Sequence, residues 1–132
     1  MGVKFIDNQA LVIKQFGIWP SFHDAEIAGL YLRRNEPGGW PTISLWINLS
    51  KPVVPGAGYE DASLWQLELE FSEVIDNEFE GFNHQNVILL LSFQQDKAGI
   101  TCLIETSYGL SGSITARRVA VKSLLPVNRL TK

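Results

Sequence analysis

Two segments of the chain alternate between apolar and polar residues with a period of two. They span residues 42–49 and 65–72. Because successive side chains of a strand point to opposite faces, this pattern predicts two β-strands, each with one buried and one wet face, as in an antiparallel sheet. The apolar positions, which we expect in the core, are Ile43, Leu45, Ile47, Leu49, Trp65, Leu67, Leu69 and Phe71.

Four further segments continue this strand-rich pattern. One of them, residues 87–93, is apolar on both faces, which predicts a central strand beneath a helix. Gly29 interrupts another and is expected to form a β-bulge. With turns at residues 96–99 and 108–112, an antiparallel meander is the simplest topology. The four segments are residues 26–34, 87–93, 100–106 and 113–122.

One helix is predicted near the start of the chain. Asp7 or Asn8 is expected to cap it, and Gly17 to end it in the left-handed conformation. The residues that share its apolar face are Val12, Ile13 and Phe16. The expected fold is mainly β, at the border of α+β: an antiparallel sheet of about six strands with one N-terminal helix packed on it. Residues 1–132 are expected to form a single globular domain.

Composition narrows the class of protein. Of the 132 residues, 45% are hydrophobic and 19% are charged, which excludes global disorder. A net charge of −3 argues against nucleic acid as a partner, and no apolar run is long enough to cross a membrane. Cys102, the single cysteine, excludes an intramolecular disulfide framework and is interpreted as a small core residue. Since the first residues lack an uninterrupted apolar run, we expect a cytoplasmic protein.

Charge is distributed unevenly along the chain. Residues 60–80 hold eight carboxylates, whereas every charged residue after Glu105 is a cation. One interpretation is a solvated face with cross-strand ion pairs, in which Glu68 and Glu70 lie opposite Arg117 or Arg118. The other is an acidic surface that docks a cationic partner, because long-range attraction raises the rate of association.

The segment WPSFHDAEI, residues 19–27, holds several chemically competent side chains. Ser21, His23 and Asp24 suggest a nucleophile with its base, but no glycine elbow surrounds the serine. The structural alternative is that Trp19 and Phe22 fasten the end of the helix to the sheet.

A metal site is a second chemical possibility. His23 with Asp24 or Glu26 would need to meet His84, since two histidines and a carboxylate make a sensible ligand set. His84 itself lies in residues 83–86, a polar stretch that fits either a recognition loop or an ordinary turn. We expect no resident metal and no cofactor.

Three motifs occur in one order along the chain: WPSFHDAEI, FNHQNVI and SYGLSGSITARRVAV. Together they resemble the bacterial immunity proteins of polymorphic toxin systems known as immunity protein 50, over roughly residues 10–126. The resemblance implies a cytoplasmic protein that neutralises a toxin by direct binding, and it identifies no substrate and no catalytic residues. It assigns no role to the motif positions Trp19, His23, Asp24, Asn83, His84 and Gly109.

The expected function is therefore non-enzymatic: the protein binds a cognate, cationic toxin and occludes its active site. Aromatic and desolvated charged side chains usually dominate such interfaces. The expected contacts are Trp46, Glu68 and Glu70 on wet strand faces, and Asp76, Glu78 and Glu80 in the loop that follows.

Two alternatives remain open from the sequence. The first is a small-ligand or metal-binding module, or an enzyme, built on His23, Asp24, Glu26 and His84. The second is a domain whose exposed apolar positions serve homodimerisation.

Overall fold

The computed structural model of the protein describes residues 3–35, 39–50 and 64–127. Within these ranges the chain forms β1 (Ile6–Asp7), α1 (Ala10–Phe16), β2 (Glu26–Arg33), β3 (Thr42–Ser50), β4 (Leu64–Glu80), β5 (Val87–Gln95), β6 (Ile100–Tyr108) and β7 (Ser111–Pro126). The predicted fold class is confirmed: the described residues are mainly β with one short helix. The described residues contain seven strands, where about six were expected.

Two antiparallel meanders, β2–β3–β4 and β5–β6–β7, make up most of the sheet. They join where β4 pairs with β7 along almost its whole length. The sheet order is β1-β7-β4-β3-β2-β5-β6, and the β6–β7 pairing closes the sheet on itself. The prediction that all strands follow one another in a single meander is therefore wrong.

The two meanders also meet on the opposite side of the sheet. There β2 pairs with β5 at a single described position, Glu26 with Val87. The predicted bulge is confirmed, because the register of β2 on β3 shifts between Ile27 and Gly29. The strand β5 is not the predicted central strand under a helix: Leu89 and Leu90 are exposed, and β5 pairs fully only with β6.

The N-terminal segment adds a short parallel pairing, in which Ile6 of β1 lies opposite Val119 of β7. Gly17 ends α1 as predicted, with φ 87° and its N–H donated to the carbonyl of Ile13 at 2.7 Å. The predicted N-cap is wrong: Gln9 occupies that position, and Asn8 instead donates its Nδ2 to the carbonyl of Val121 at 3.1 Å. Among the described elements, α1 contacts β7.

The core lies inside the closed sheet and is lined by the apolar faces that the alternation predicts. In β3 and β4 these are Ile43, Leu45, Ile47, Leu67, Leu69 and Phe71, all fully buried. Cys102 of β6 is also buried, and burial raises the pKa of its thiol, so the thiol stays protonated. Among the described residues, no helix is long and apolar enough to cross a membrane.

The strand β4 bends in its middle and is far longer than predicted. Glu73 has a positive φ of 54°, and the register on β7 shifts between Val74 and Asp76. Beyond this bend the strand continues to Glu80. The expectation that the last acids lie in a loop is therefore wrong: Asp76, Glu78 and Glu80 are strand residues opposite Thr115, Ser113 and Ser111 of β7.

Candidate functional site

Trp46 lies on the outward face of β3, between two neighbours of very different size. Its partner on β4 is Glu68, and its partner on β2 is Gly29. A Cβ atom added to Gly29 would lie 3.3 Å from Cε3 of Trp46, so the indole packs directly over the glycine. The expected contact residues Trp46 and Glu68 are thus brought side by side.

The next row of the same face adds an aromatic residue that the sequence analysis missed. Ser44 of β3 lies opposite Glu70 on one side and Tyr31 on the other. Tyr31 is 52% exposed and borders the same surface. The alternation along β2 did not reveal that the side chain of Tyr31 points outward, because the bulge at Gly29 changes which residues face outward.

The carboxylates of the first half of β4 are partly buried rather than fully exposed. Glu70 forms an ion pair with Lys122 of β7, with 3.9 Å between Oε2 and Nζ. Within residues 3–35, 39–50 and 64–127, no cation lies within 4.0 Å of Glu68. The surface ion pair between Glu70 and Lys122 contributes little to the free energy of unfolding, typically below about 1 kcal/mol.

The arginines expected opposite Glu68 and Glu70 have another partner. Arg117 and Arg118 both engage Glu73 at the bend of β4, with 3.7 Å between Arg117 Nε and Glu73 Oε1. The predicted pairing is therefore wrong: Glu70 lies opposite Ala120 and Glu68 opposite Ser123 of β7, while Arg118 lies opposite Ser72. This cationic pair divides the acids of β4 into two groups.

The acids of the second half of β4 are exposed and face small hydroxyl side chains. In the described part of the chain, no cation lies within 4.0 Å of Asp76, Glu78 or Glu80. We use the name acidic strip for the five expected contact acids on this one strand, which are Glu68, Glu70, Asp76, Glu78 and Glu80.

The WPSFHDAEI segment does not assemble a nucleophile and a base. The Oγ of Ser21 accepts the backbone N–H of His23 at 3.2 Å, and the ring of His23 lies beside Asp24, 3.4 Å from Nδ1 to Oδ2. Trp19 instead packs edge-to-face on Phe22 and on Phe93 of β5, with ring centroids 5.5 and 6.1 Å apart. This arrangement matches the structural alternative.

The residues of the possible metal site are not gathered into a ligand set. His84 lies with its Nδ1 2.8 Å from Oδ1 of Asn83 and its ring edge-to-face against Tyr108, with centroids 5.8 Å apart. Among the residues that the structure describes, no three His, Cys, Asp or Glu side chains could hold a metal together. The groove beside His23 and Asp24 holds about 220 Å³, below the range typical of small-molecule sites.

Asn86 is the buried centre of the FNHQNV motif and is only 2% exposed. Its Oδ1 accepts the N–H groups of Asn83 and Leu110, both at 2.9 Å, and its Nδ2 donates to the carbonyls of Asn83 and Ile27. Its own N–H lies 3.4 Å from Oε2 of Glu26. The second and third motifs of the sequence are therefore joined by one polar side chain.

Comparison with known proteins places the chain in a family. No curated protein and no solved structure matches it. The family model for immunity protein 50 matches residues 8–126, which is nearly the whole chain, and the resemblance carried by the three motifs is thereby confirmed. The chain belongs to the immunity protein 50 family.

Proposed function

We propose that the protein is a non-enzymatic immunity protein that binds a cognate, cationic toxin of a bacterial polymorphic toxin system and occludes its active site. One observation carries the proposal. Among the described residues, four of the five carboxylates of the acidic strip have no cation within 4.0 Å, and Trp46 lies directly beside the first of them.

Unpaired carboxylates on one strand repel one another and lower the stability of the free protein. A cationic partner relieves this repulsion when it binds and is attracted over a distance before contact. A toxin that cleaves nucleic acid must carry a cationic groove for phosphates, and an acidic strip fits such a groove. The proposed mechanism requires neither a metal nor a cofactor.

Trp46 and Tyr31 supply the apolar part of the proposed contact. Aromatic side chains bury a large area with few rotatable bonds, and therefore lose little entropy on binding. The indole is already fixed over Gly29, so little further ordering is needed when a partner covers it. In this proposal the protein acts in the cytoplasm as a single domain.

The test uses the toxin domain encoded beside the gene for this chain. The variant is Asp76→Asn/Glu78→Gln/Glu80→Gln, and its matched control is Asp7→Asn/Asp24→Asn/Glu105→Gln, which removes three exposed carboxylates elsewhere. We expect the strip variant to associate at least about tenfold more slowly than the control at 0.1 M salt. The difference should shrink at 1 M salt, where the Debye length falls to about 3 Å.

A co-expression rescue assay completes the test. The parent should protect cells from the toxin, and the control variant should protect them equally well. If both triple variants slow association equally, net charge rather than the acidic strip is responsible. If neither does, the strip is a solvated surface and the proposed contact is wrong.

A further inference from the structure

A second surface of the protein exposes aromatic side chains on a rigid support. It consists of residues 81–86 together with Tyr108 of β6, and we call it the aromatic loop. Phe82 is 56% exposed and Tyr108 is 46% exposed, while the exposed ring of His84 lies edge-to-face against Tyr108. Large aromatic side chains left in water stabilise the free protein little, so their position invites a functional explanation.

Hydrogen bonds hold the backbone of the aromatic loop in one conformation. Asn86 accepts the N–H of Asn83 and donates to its carbonyl, which closes the turn on itself. The Oδ1 of Asn83 then accepts the N–H of His84 at 2.7 Å. Because Asn86 is also bonded to Leu110, this turn is tied to the start of β7.

Two glycines bring the same loop into contact with the end of β6. Gly81 has φ 84°, and a Cβ there would lie 2.7 Å from the carbonyl oxygen of Gly109. Gly109 has φ 102°, and a Cβ there would overlap the side chain of Asn86. Phe82 and Tyr108, which adjoin these glycines in the chain, are therefore presented from one packed base.

The aromatic loop continues directly from the acidic strip. Glu80, the last strip residue, is separated from Phe82 only by Gly81. Glu80 thus precedes the exposed ring of Phe82 by two residues in the chain, and a guanidinium group can stack on an aromatic ring while it pairs with an acid.

We infer that the aromatic loop is the anchor of the toxin interface and receives an arginine side chain of the toxin, with Glu80 as its counter-ion. This inference rests on the proposed function and assigns different kinetic roles to the acidic strip and the aromatic loop. The acidic strip accelerates the encounter, whereas the preformed aromatic loop slows dissociation, because a rigid contact loses little entropy on binding.

The experiment measures the dissociation rate of the same toxin domain from three immobilised variants. Tyr108→Phe keeps the ring, Tyr108→Leu keeps only apolar bulk, and Trp40→Leu removes an equally exposed aromatic side chain outside the loop. We expect Tyr108→Leu to dissociate about five- to thirtyfold faster than the parent, the range of a cation–π contact. Tyr108→Phe and Trp40→Leu should dissociate at the rate of the parent.

Each outcome decides the inference. If Tyr108→Leu dissociates like Tyr108→Phe, no guanidinium stacks on this ring and the inference is wrong, although the proposed function stands. If Trp40→Leu dissociates as fast as Tyr108→Leu, the effect is not specific to the aromatic loop. If the parent does not bind the toxin at all, both proposals fail. Thermal unfolding of each variant establishes that the exposed substitutions leave the fold intact.

Discussion

The two halves of strand β4 carry similar numbers of carboxylates in different surroundings. Before the bend at Glu73, Glu68 and Glu70 are partly buried beside Trp46 and Lys122, and their strand contributes Leu69 to the core. After the bend, the acids are exposed and lie opposite serine and threonine residues of β7. The first half is paired with both β3 and β7, whereas the second half is paired only with β7 among the described strands.

This difference teaches that an acidic sequence does not define one kind of acidic surface. The first half combines charge with apolar contact area, so changes there should affect both stability and the lifetime of a complex. In the second half, Asp76 and Glu78 are exposed and unpaired in the described part of the chain, so changes at these two residues should affect mainly the rate of encounter. The following predictions separate the two halves.

The largest expected effect is on folding stability in the first half. Leu69→Ala should lower the free energy of unfolding by about 2–5 kcal/mol, because Leu69 is fully buried and its removal leaves a cavity. Ile75→Ala, in the exposed part of the second half, should cost less than about 1 kcal/mol. Urea unfolding of both variants measures the difference, and equal losses would contradict the comparison.

The second prediction concerns the pairing that holds the second half in place. Gly112→Ala should lower the free energy of unfolding by about 1–3 kcal/mol, since a Cβ at Gly112 would overlap the carbonyl oxygen of Glu78. The neighbouring variant Ser113→Ala should be close to neutral. A neutral Gly112→Ala in urea unfolding would mean that residues 76–80 behave as a loop after all.

The third prediction compares the two halves in toxin binding. Asp76→Asn/Glu78→Gln should slow association roughly threefold or more at 0.1 M salt, because these charges are exposed and unpaired in the described part of the chain. Glu68→Gln/Glu70→Gln should slow it less and should speed dissociation more, since both residues adjoin the face of Trp46. Stopped-flow measurements give the association rate of each double variant, and dissociation from a surface carrying the immobilised variant gives its dissociation rate.

The smallest expected effects are on the stability of the free protein and have opposite signs. Asp76→Asn/Glu78→Gln/Glu80→Gln should raise the free energy of unfolding by a few tenths of a kcal/mol, because like charges are removed. Glu70→Gln should lower it by at most about 0.5 kcal/mol, because the ion pair with Lys122 is lost. Both changes should vanish in 1 M salt, and a loss of stability in the triple variant would contradict the assumed repulsion.

The sequence predicted the first half of β4 well and the second half poorly, for a physical reason. Up to Phe71 each residue alternates in direction, so hydrophobicity reveals the face. The positive φ of Glu73 and the shifted register after Val74 break that alternation, and acids at 76, 78 and 80 then look like a solvated loop. What holds them in a strand is a partner more than thirty residues away, at Gly112 of β7.

The candidate site was also only partly predictable from the sequence. Trp46 and Glu68 were predictable as residues of wet faces, because both lie in strictly alternating strands, but only the register of β3 on β4 makes them neighbours. The position of Tyr31 was not predictable, because the bulge at Gly29 intervenes. The segment around Asn86 was recognised as polar, but its role depends on Leu110 and Ile27, which only the folded chain brings close.

The pairing of β1 with β7 has a consequence for when this protein can act. The side chain of Asn8 donates to the carbonyl of Val121, which lies 113 residues further along the chain. Strand β4 likewise pairs with β7, whose residues are synthesised much later. Such long-range contacts make folding slow and prevent the sheet from closing on a growing chain. Under the proposed function, a nascent copy therefore cannot bind a toxin until β7 has left the ribosome, and protection would depend on molecules completed before the toxin arrives.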